Sequence, residues 1–177
     1  MEIKDQYSYR YARAILEQEF PSQMGEIAEV VAAVEWQPIL PEPRQRIRKG
    51  KVVATLAINQ DATNGRFDDE FRARGWEVHP LIVSDATSKL VADFKKGPIQ
   101  VEVQFGNMAR WYTDIFKFLL SYAADDIEIG VLIVPMQSTA KQIDENVVYF
   151  ERVVRELPHA KMAVTIPVWV IGVNGGI

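Results

Sequence analysis

A chain of 177 residues with 48% apolar and 10% aromatic content can bury one good core but is short for two, so a single domain over residues 1–177 is expected. The absence of cysteine excludes disulfides, thiolate nucleophiles, zinc held on sulfur and iron–sulfur chemistry, and the two histidines, His79 and His159, lack metal-ligand spacing. A net charge of −4 argues mildly against a nucleic-acid binder, although the distribution of charge matters more than its sum.

In chain order, the N-terminal residues are too polar for a signal peptide. The longest apolar runs, such as Gly130 to Pro135, are too short to span a bilayer, so a cytoplasmic location is expected. Apolar residues recur at helical spacing from Tyr9 to Phe20 and again from Pro21 to Val34, predicting two N-terminal helices. Gln37 to Gly50 carries three prolines and reads as an extended connection. Arg44, Arg46, Arg48, Lys49 and Lys51 fall within eight residues, either as a solvated loop, which composition alone favours, or as a phosphate-contacting arm. The apolar run Val52 to Ile58 precedes a helix from about Thr63 to Arg74 that Gly75 closes.

Runs at Glu77 to Val83, Leu90 to Phe94 and Ile99 to Phe105, bounded by turn residues, predict strands of one sheet. Asn107 to Tyr122 reads as a buried helix, Ile127 to Pro135 as a strand, Asp144 to Leu157 as a helix capped by its own aspartate, and Val164 to Val173 as a final strand. The expected fold class is α/β, a central mixed sheet flanked by helices.

Chemistry concentrates in the middle of the chain. Alternation along Ile99 to Phe105 puts Glu102 and Gln104 on one face of an otherwise hydrophobic strand. Asp93 lies before the turn Lys95-Lys96-Gly97-Pro98, which can fold its carboxylate back beside Glu102. Such a pair suits a hard divalent cation, which takes oxygen ligands and can activate water for attack on a phosphodiester. The residues by themselves more readily describe a half-exposed strand with a polar outer face.

Asp93, an eight-residue spacer and then Val101-Glu102-Val103-Gln104-Phe105-Gly106-Asn107 resembles the catalytic motif of the BglII/BstYI restriction endonucleases, in the BamHI-like branch of the PD-(D/E)XK nucleases, in which glutamine replaces the usual lysine. The similarity continues through Trp111 to Tyr122, Ile127 to Met136, Val148 to Glu151 and Val168 to Gly172, and more weakly through Phe71 to Glu77. The resemblance implies a restriction-endonuclease-like fold and a homodimer that hydrolyses a short, GATC-centred palindrome in duplex DNA. It implies Mg2+ as cofactor, with Mn2+ able to substitute, and a cognate methyltransferase acting on the same site. Asp93, Glu102 and the Val103 carbonyl would hold the metal, and Gln104 would position the nucleophilic water. No residue is assigned as general base.

For DNA reading, the resemblance points to Asn107, which either contacts adenine or caps the next helix, and to Ser138, Thr139, Lys141, Gln142 and Asn146. Lys95 and Lys96 either steer phosphates or dress a turn. The chain is shorter than the relatives it resembles, mainly between Gly75 and Asp93 and at the C-terminus, which leaves open whether it carries a DNA-wrapping arm. Two other functions fit the same residues: a nonspecific or structure-specific DNA nuclease, or a non-catalytic DNA- or partner-binding module on the same fold. The intact set of Asp93, Glu102 and Gln104 argues against the latter.

Overall fold

The computed structural model describes residues 1–83 and 87–175, apart from the side chains of residues 53 and 54. The elements are β1 (Glu2–Tyr9), α1 (Ala12–Glu19), α2 (Pro21–Ala33), β2 (Arg44–Arg48), β3 (Lys51–Leu56), α3 (Gln60–Ala73), β4 (Glu77–Val78), β5 (Phe94–Lys96), β6 (Ile99–Val103), α4 (Arg110–Ala123), β7 (Ile129–Pro135), α5 (Gln137–Ile143), α6 (Phe150–Glu156) and β8 (Val168–Asn174), with a 3-10 turn at Leu157–Ala160. Six strands form one sheet in the order β1-β8-β7-β6-β5-β4, and β2 and β3 form a separate hairpin. The central strands β6, β7 and β8 are parallel, flanked by antiparallel β5 and β1. This is the mixed, helix-flanked sheet that the sequence predicts.

Strand alternation divides the interior into two layers. Ile129, Val131 and Ile133 of β7 pack with Leu16, Ile27, Val30, Phe67 and Phe71 from α1, α2 and α3. Leu132 and Val134 of the same strand pack on the opposite face with Trp111, Ile115 and Phe118 of α4 and Phe150 and Val153 of α6. Both faces are covered, which is why β6, β7 and most of β8 are buried along their length. Gly130 permits the close approach of α4: a Cβ there would stand 2.7 Å from the Phe118 ring.

Four local expectations are corrected. Tyr9 ends an edge strand, Glu2–Tyr9, rather than opening the first helix, which starts at Ala12, because the strand's partner β8 is supplied from the other end of the chain. The expected extended connection contains a tight hairpin in which Lys49 and Gly50 both adopt positive φ, at 49° and 72°. That left-handed pair is the geometry of a type I′ turn, whose twist matches the strands it joins. The helix expected from Asp144 starts only at Phe150, and α5 lies before it. The Asp144 carboxylate instead accepts from the Asn146 N–H and from Arg46 on the hairpin. Of the run Leu90 to Phe94, only Phe94 is in a ladder, and Val91 makes an isolated bridge to Leu81. Among the described residues, no helix is long and apolar enough to cross a membrane.

Candidate active site

The polar face of β6 meets a polar stripe on α4. Gln100, Glu102 and Gln104 recur every second residue on the strand, while Asp114, Lys117 and Ser121 recur about once per helical turn. The two rows run antiparallel and pair rung by rung. Gln104 Nε2 donates to Asp114 Oδ2 at 2.6 Å, Lys117 Nζ to Glu102 Oε2 at 2.6 Å, and Ser121 Oγ to Gln100 Oε1 at 2.7 Å. Two further bonds join the rungs: Gln100 Nε2 donates to Glu102 Oε1 at 2.8 Å, and Lys117 Nζ lies 3.4 Å from Asp114 Oδ1. Buried polar groups left unpaired are costly, so a fully connected set of this kind holds each side chain in one orientation.

Asp93 joins this row from the position just before the neighbouring strand β5. Phe94 pairs with Val101 in the β5–β6 ladder, so Asp93 stands one step beyond, on the Glu102 side. Its Oδ2 accepts from the Val103 N–H at 2.8 Å, and its carbonyl accepts from the His79 N–H at 2.9 Å. Burial pushes the Asp93 carboxyl upward against the pull of Lys117. Burial also raises Glu102 well above the usual carboxylate range, and the Asp93 charge adds to it while Lys117 opposes. A buried and a half-buried carboxylate under this tension are what an oxygen-seeking cation relieves. No group of three or more Asp, Glu, His or Cys gathers as a metal cage among the described residues. A magnesium ion is nonetheless compatible with the donors present, since it commonly takes one or two carboxylates and completes its shell with water and substrate oxygen.

A cleft of about 560 Å³ opens onto this row, lined among others by Gln60, Asn64, Asp93, Gln104, Arg110, Asp114 and Lys117. Glu102 is fully buried and lies behind Lys117. Asp114 provides a pH test. Burial pushes its carboxyl from 3.8 up to about 6, opposed by the bonds from Gln104 and Lys117. A raised folded-state pKa contributes stability that is present below the unfolded value and lost as pH rises through the folded one. The metal-free protein is therefore expected to lose a few degrees of Tm between about pH 4 and about pH 7, and Asp114→Asn to flatten that limb. Parallel Tm profiles for the two proteins would contradict this.

The segments expected to read DNA are strapped together. Met108 N–H donates to the Asn146 carbonyl at 2.7 Å, Val148 N–H to the Gly106 carbonyl at 3.1 Å, and Asn107 bridges Val147. Asn107 is exposed, and its Oδ1 accepts from the Ala109 N–H at 2.9 Å just ahead of α4, whose N-cap is Ala109 with no side-chain cap bond. Ser138, Lys141 and Asn146 are exposed and Gln142 is half-buried. Thr139 is fully buried, with its hydroxyl bonded to Asn174 Oδ1 and the Gly175 carbonyl, and so faces away from any ligand on this surface. The turn lysines are engaged by protein: Lys95 pairs with Asp126, and Lys96 donates to Glu26 and to the Arg74 carbonyl.

The model of the family described as restriction endonuclease BglII/BglIII matches residues 4–173, nearly the whole chain. The chain belongs to the BglII/BglIII restriction endonuclease family. It is a type II restriction endonuclease, a nuclease directed at a defined DNA sequence. Its fold is similar to the crystal structure of restriction endonuclease BglII complexed with a DNA 16-mer, with a TM-score of 0.74 and 19% identity over 100% of this chain and 78% of that one. Free BglII is similar with a TM-score of 0.67 and 18% identity, over 100% of this chain and 81% of that one. No match was found among curated proteins.

In this endonuclease, Gly106 sets the position of Gln104. The Gly106 N–H donates to Gln104 Oε1 at 2.9 Å, and a Cβ at position 106 would also stand 2.9 Å from that oxygen. Gly106→Ala must therefore push the glutamine amide aside, which is cheap for stability because only a flexible side-chain end moves. The expected outcome is cleavage slowed about tenfold or more, as when a positioning hydrogen bond is removed, with Tm nearly unchanged. An unaltered rate would show that Gln104 need not be held. Sequence reasoning missed Asp114, Lys117 and Ser121 because the aromatic stripe of α4 dominates its pattern. Their own spacing of three and four residues was the available signal.

Proposed function

We propose that this restriction endonuclease is a homodimer that uses Mg2+, with Mn2+ able to substitute, to hydrolyse a phosphodiester in each strand of a GATC-centred palindrome. The observation that carries the reading is the Asp93 carboxylate bonded to the Val103 N–H, next to Glu102 on β6, at a cleft lined by Asp93, Val103 and Gln104, in a chain of this family. The Asp93 and Glu102 carboxylates and the Val103 carbonyl would hold the cation. When bound, such a cation lowers the pKa of water and neutralises charge developing at phosphorus.

The remaining chemistry belongs to the chain. Gln104 has its amide oriented by Asp114 and the Gly106 N–H, and it positions the attacking water. As an amide it takes no proton, so the proton leaves to solvent or a substrate phosphate. Lys117 holds Glu102 and adds a positive charge beside the reacting phosphate. Asn107, Ser138, Lys141, Gln142 and Asn146 contact the bases, with Thr139 buttressing their segment from inside.

Duplex DNA as substrate is supported by the DNA complex of the similar BglII fold. The homodimer is supported by the solvent face of α4, where Tyr112, Phe116, Leu119 and Ala123 form an apolar stripe and Phe116 is 54% exposed. A two-fold dimer matches the symmetry of a palindrome. The working unit is a single domain over residues 1–177 in the cytoplasm, and a methyltransferase acting on the same site is its expected companion.

The deciding experiment is incubation with unmethylated phage DNA in magnesium or in EDTA. Discrete fragments only with magnesium support the reading, and sequencing their ends reads out the site. A smear would favour a nonspecific nuclease, and no cutting of several unmethylated DNAs would favour a binding module.

A further inference from the structure

The most concentrated charge on the molecule lies outside the catalytic cleft. Residues 43–60 carry five lysines and arginines and no carboxylate, in a chain whose net charge is −4, so everything else sums to −9. Strands β2 and β3 bring these cations to one place. Strand alternation puts Arg44, Arg46 and Arg48 on one face of β2, and register adds Lys51 to that face opposite Arg48. Lys49 sits at the tip. Every residue of β2 is exposed, and Ile47 and Val52 pair on the opposite face.

A hairpin of two strands is marginally stable alone, and like charges directly opposite one another weaken it further. Of the four cations on this face, only Arg46 has carboxylate partners among the described residues, Asp144 at 2.9 Å and Glu145 at 3.5 Å. A merely solvated loop gains nothing from stacking unpaired cations on one side. A polyanion approaching that side does.

The Arg46 contacts fix the direction of the face: it looks onto the segment from Ser138 to Asn146. The Ala57 and Ile58 N–H groups donate to the Gln142 carbonyl and tie the base of the hairpin to α5. From there one surface runs to the catalytic row. Gln60 and Asp144 line a hollow with Arg44, a second hollow with Asn107 and Asn146 follows, and Gln60 also lines the cleft that holds Asp93 and Gln104.

We propose that the β2–β3 hairpin is an arm that grips the phosphates of duplex DNA beside the bases faced by residues 106–108 and 138–146. The inference rests on the endonuclease reading above. The arm gives affinity without sequence choice, because flexible lysine and arginine heads match phosphate at any sequence. Arg46 stays on Asp144 and sets the angle of the arm, leaving Arg44, Arg48, Lys49 and Lys51 for the phosphates.

The test is equilibrium binding in EDTA to two fluorescent duplexes, one containing the cleaved site and one lacking it, over a salt series. The parent is compared with a variant carrying Arg44→Gln, Arg48→Gln, Lys49→Gln and Lys51→Gln. The slope of log affinity against log salt is expected to become shallower by roughly 4 to 7 per dimer on both duplexes, at about 0.9 for each phosphate no longer neutralised by the two arms. The ratio of site to non-site affinity stays constant. A second variant, Arg44→Lys with Arg48→Lys, keeps the charge and is expected to keep the parent slope, which a purely structural role would not predict.

An unchanged slope in the quadruple variant, with the parent binding normally and the variant's Tm intact, overturns the arm. A collapse of the site to non-site ratio overturns it in favour of base reading by the hairpin. A parent that neither binds nor cuts any duplex overturns the endonuclease reading itself and the arm with it.

Discussion

Asp93→Ala is expected to abolish cleavage while leaving duplex binding in EDTA close to that of the parent. Asp93 supplies one of the two carboxylates proposed to hold the cation, and its Oδ2 also secures the Val103 N–H. Its loss removes a ligand from the cation and the restraint that aims the Val103 backbone. Charge stabilisation by a bound divalent cation amounts to several kcal/mol, and at about 1.36 kcal/mol per tenfold the expected fall in rate is about 10³-fold or more. Binding is spared because the removed charge is negative and lies in the path of an anionic ligand. Equal losses of binding and cleavage would mean that Asp93 acts through folding, and Tm would show it.

The second large effect belongs to a residue that the family resemblance does not mark. Lys117→Met is expected to slow cleavage by about 10- to 100-fold, the scale for losing a group that orients a metal ligand, and to strengthen divalent-metal binding. In the metal-free arrangement the Lys117 ammonium neutralises fully buried Glu102 and sits beside Asp114. A divalent cation on Glu102 must share that oxygen site with the ammonium, and the two positive charges repel. Removing the ammonium relieves the repulsion but leaves the buried carboxyls of Glu102 and Asp114 and the half-buried one of Asp93 uncompensated. Without metal the variant should therefore melt several degrees lower, and magnesium should raise its Tm by more than it raises that of the parent. A smaller magnesium-induced increment in the variant would show that Lys117 assists metal binding instead of opposing it.

Phosphate binding through the β2–β3 arm bears on how a compact chain holds DNA. The sequence showed the cations but read them more readily as a solvated loop, because a run of five charges has no direction until strand pairing gives it one. The Lys49-Gly50 turn and the one-residue irregularity between Arg46 and Ile47 place four of the cations on one face. Arg46 then turns that face toward residues about a hundred positions away.

Local periodicity determined much of this protein from the sequence alone. Alternation from Ile99 to Phe105 put Glu102 and Gln104 on one face, and the turn at Gly97-Pro98 brought Asp93 back to the Glu102–Val103 end of β6, because a tight antiparallel connection fixes register within a few residues. Buried runs at β7 and β8 and the helical spacing of α2, α3 and α4 were legible for the same reason. What only tertiary structure decided depends on partners distant in sequence: β1 exists because β8 offers it an edge, and Asp144 leaves its expected cap because Arg46 competes for the carboxylate. The row of Asp114, Lys117 and Ser121 becomes part of the site only when α4 packs antiparallel on β6, with Gly130 admitting the ring of Phe118. Backbone period is written locally, but the pairing of one face with another is settled by burying apolar area and satisfying buried polar groups across the whole chain.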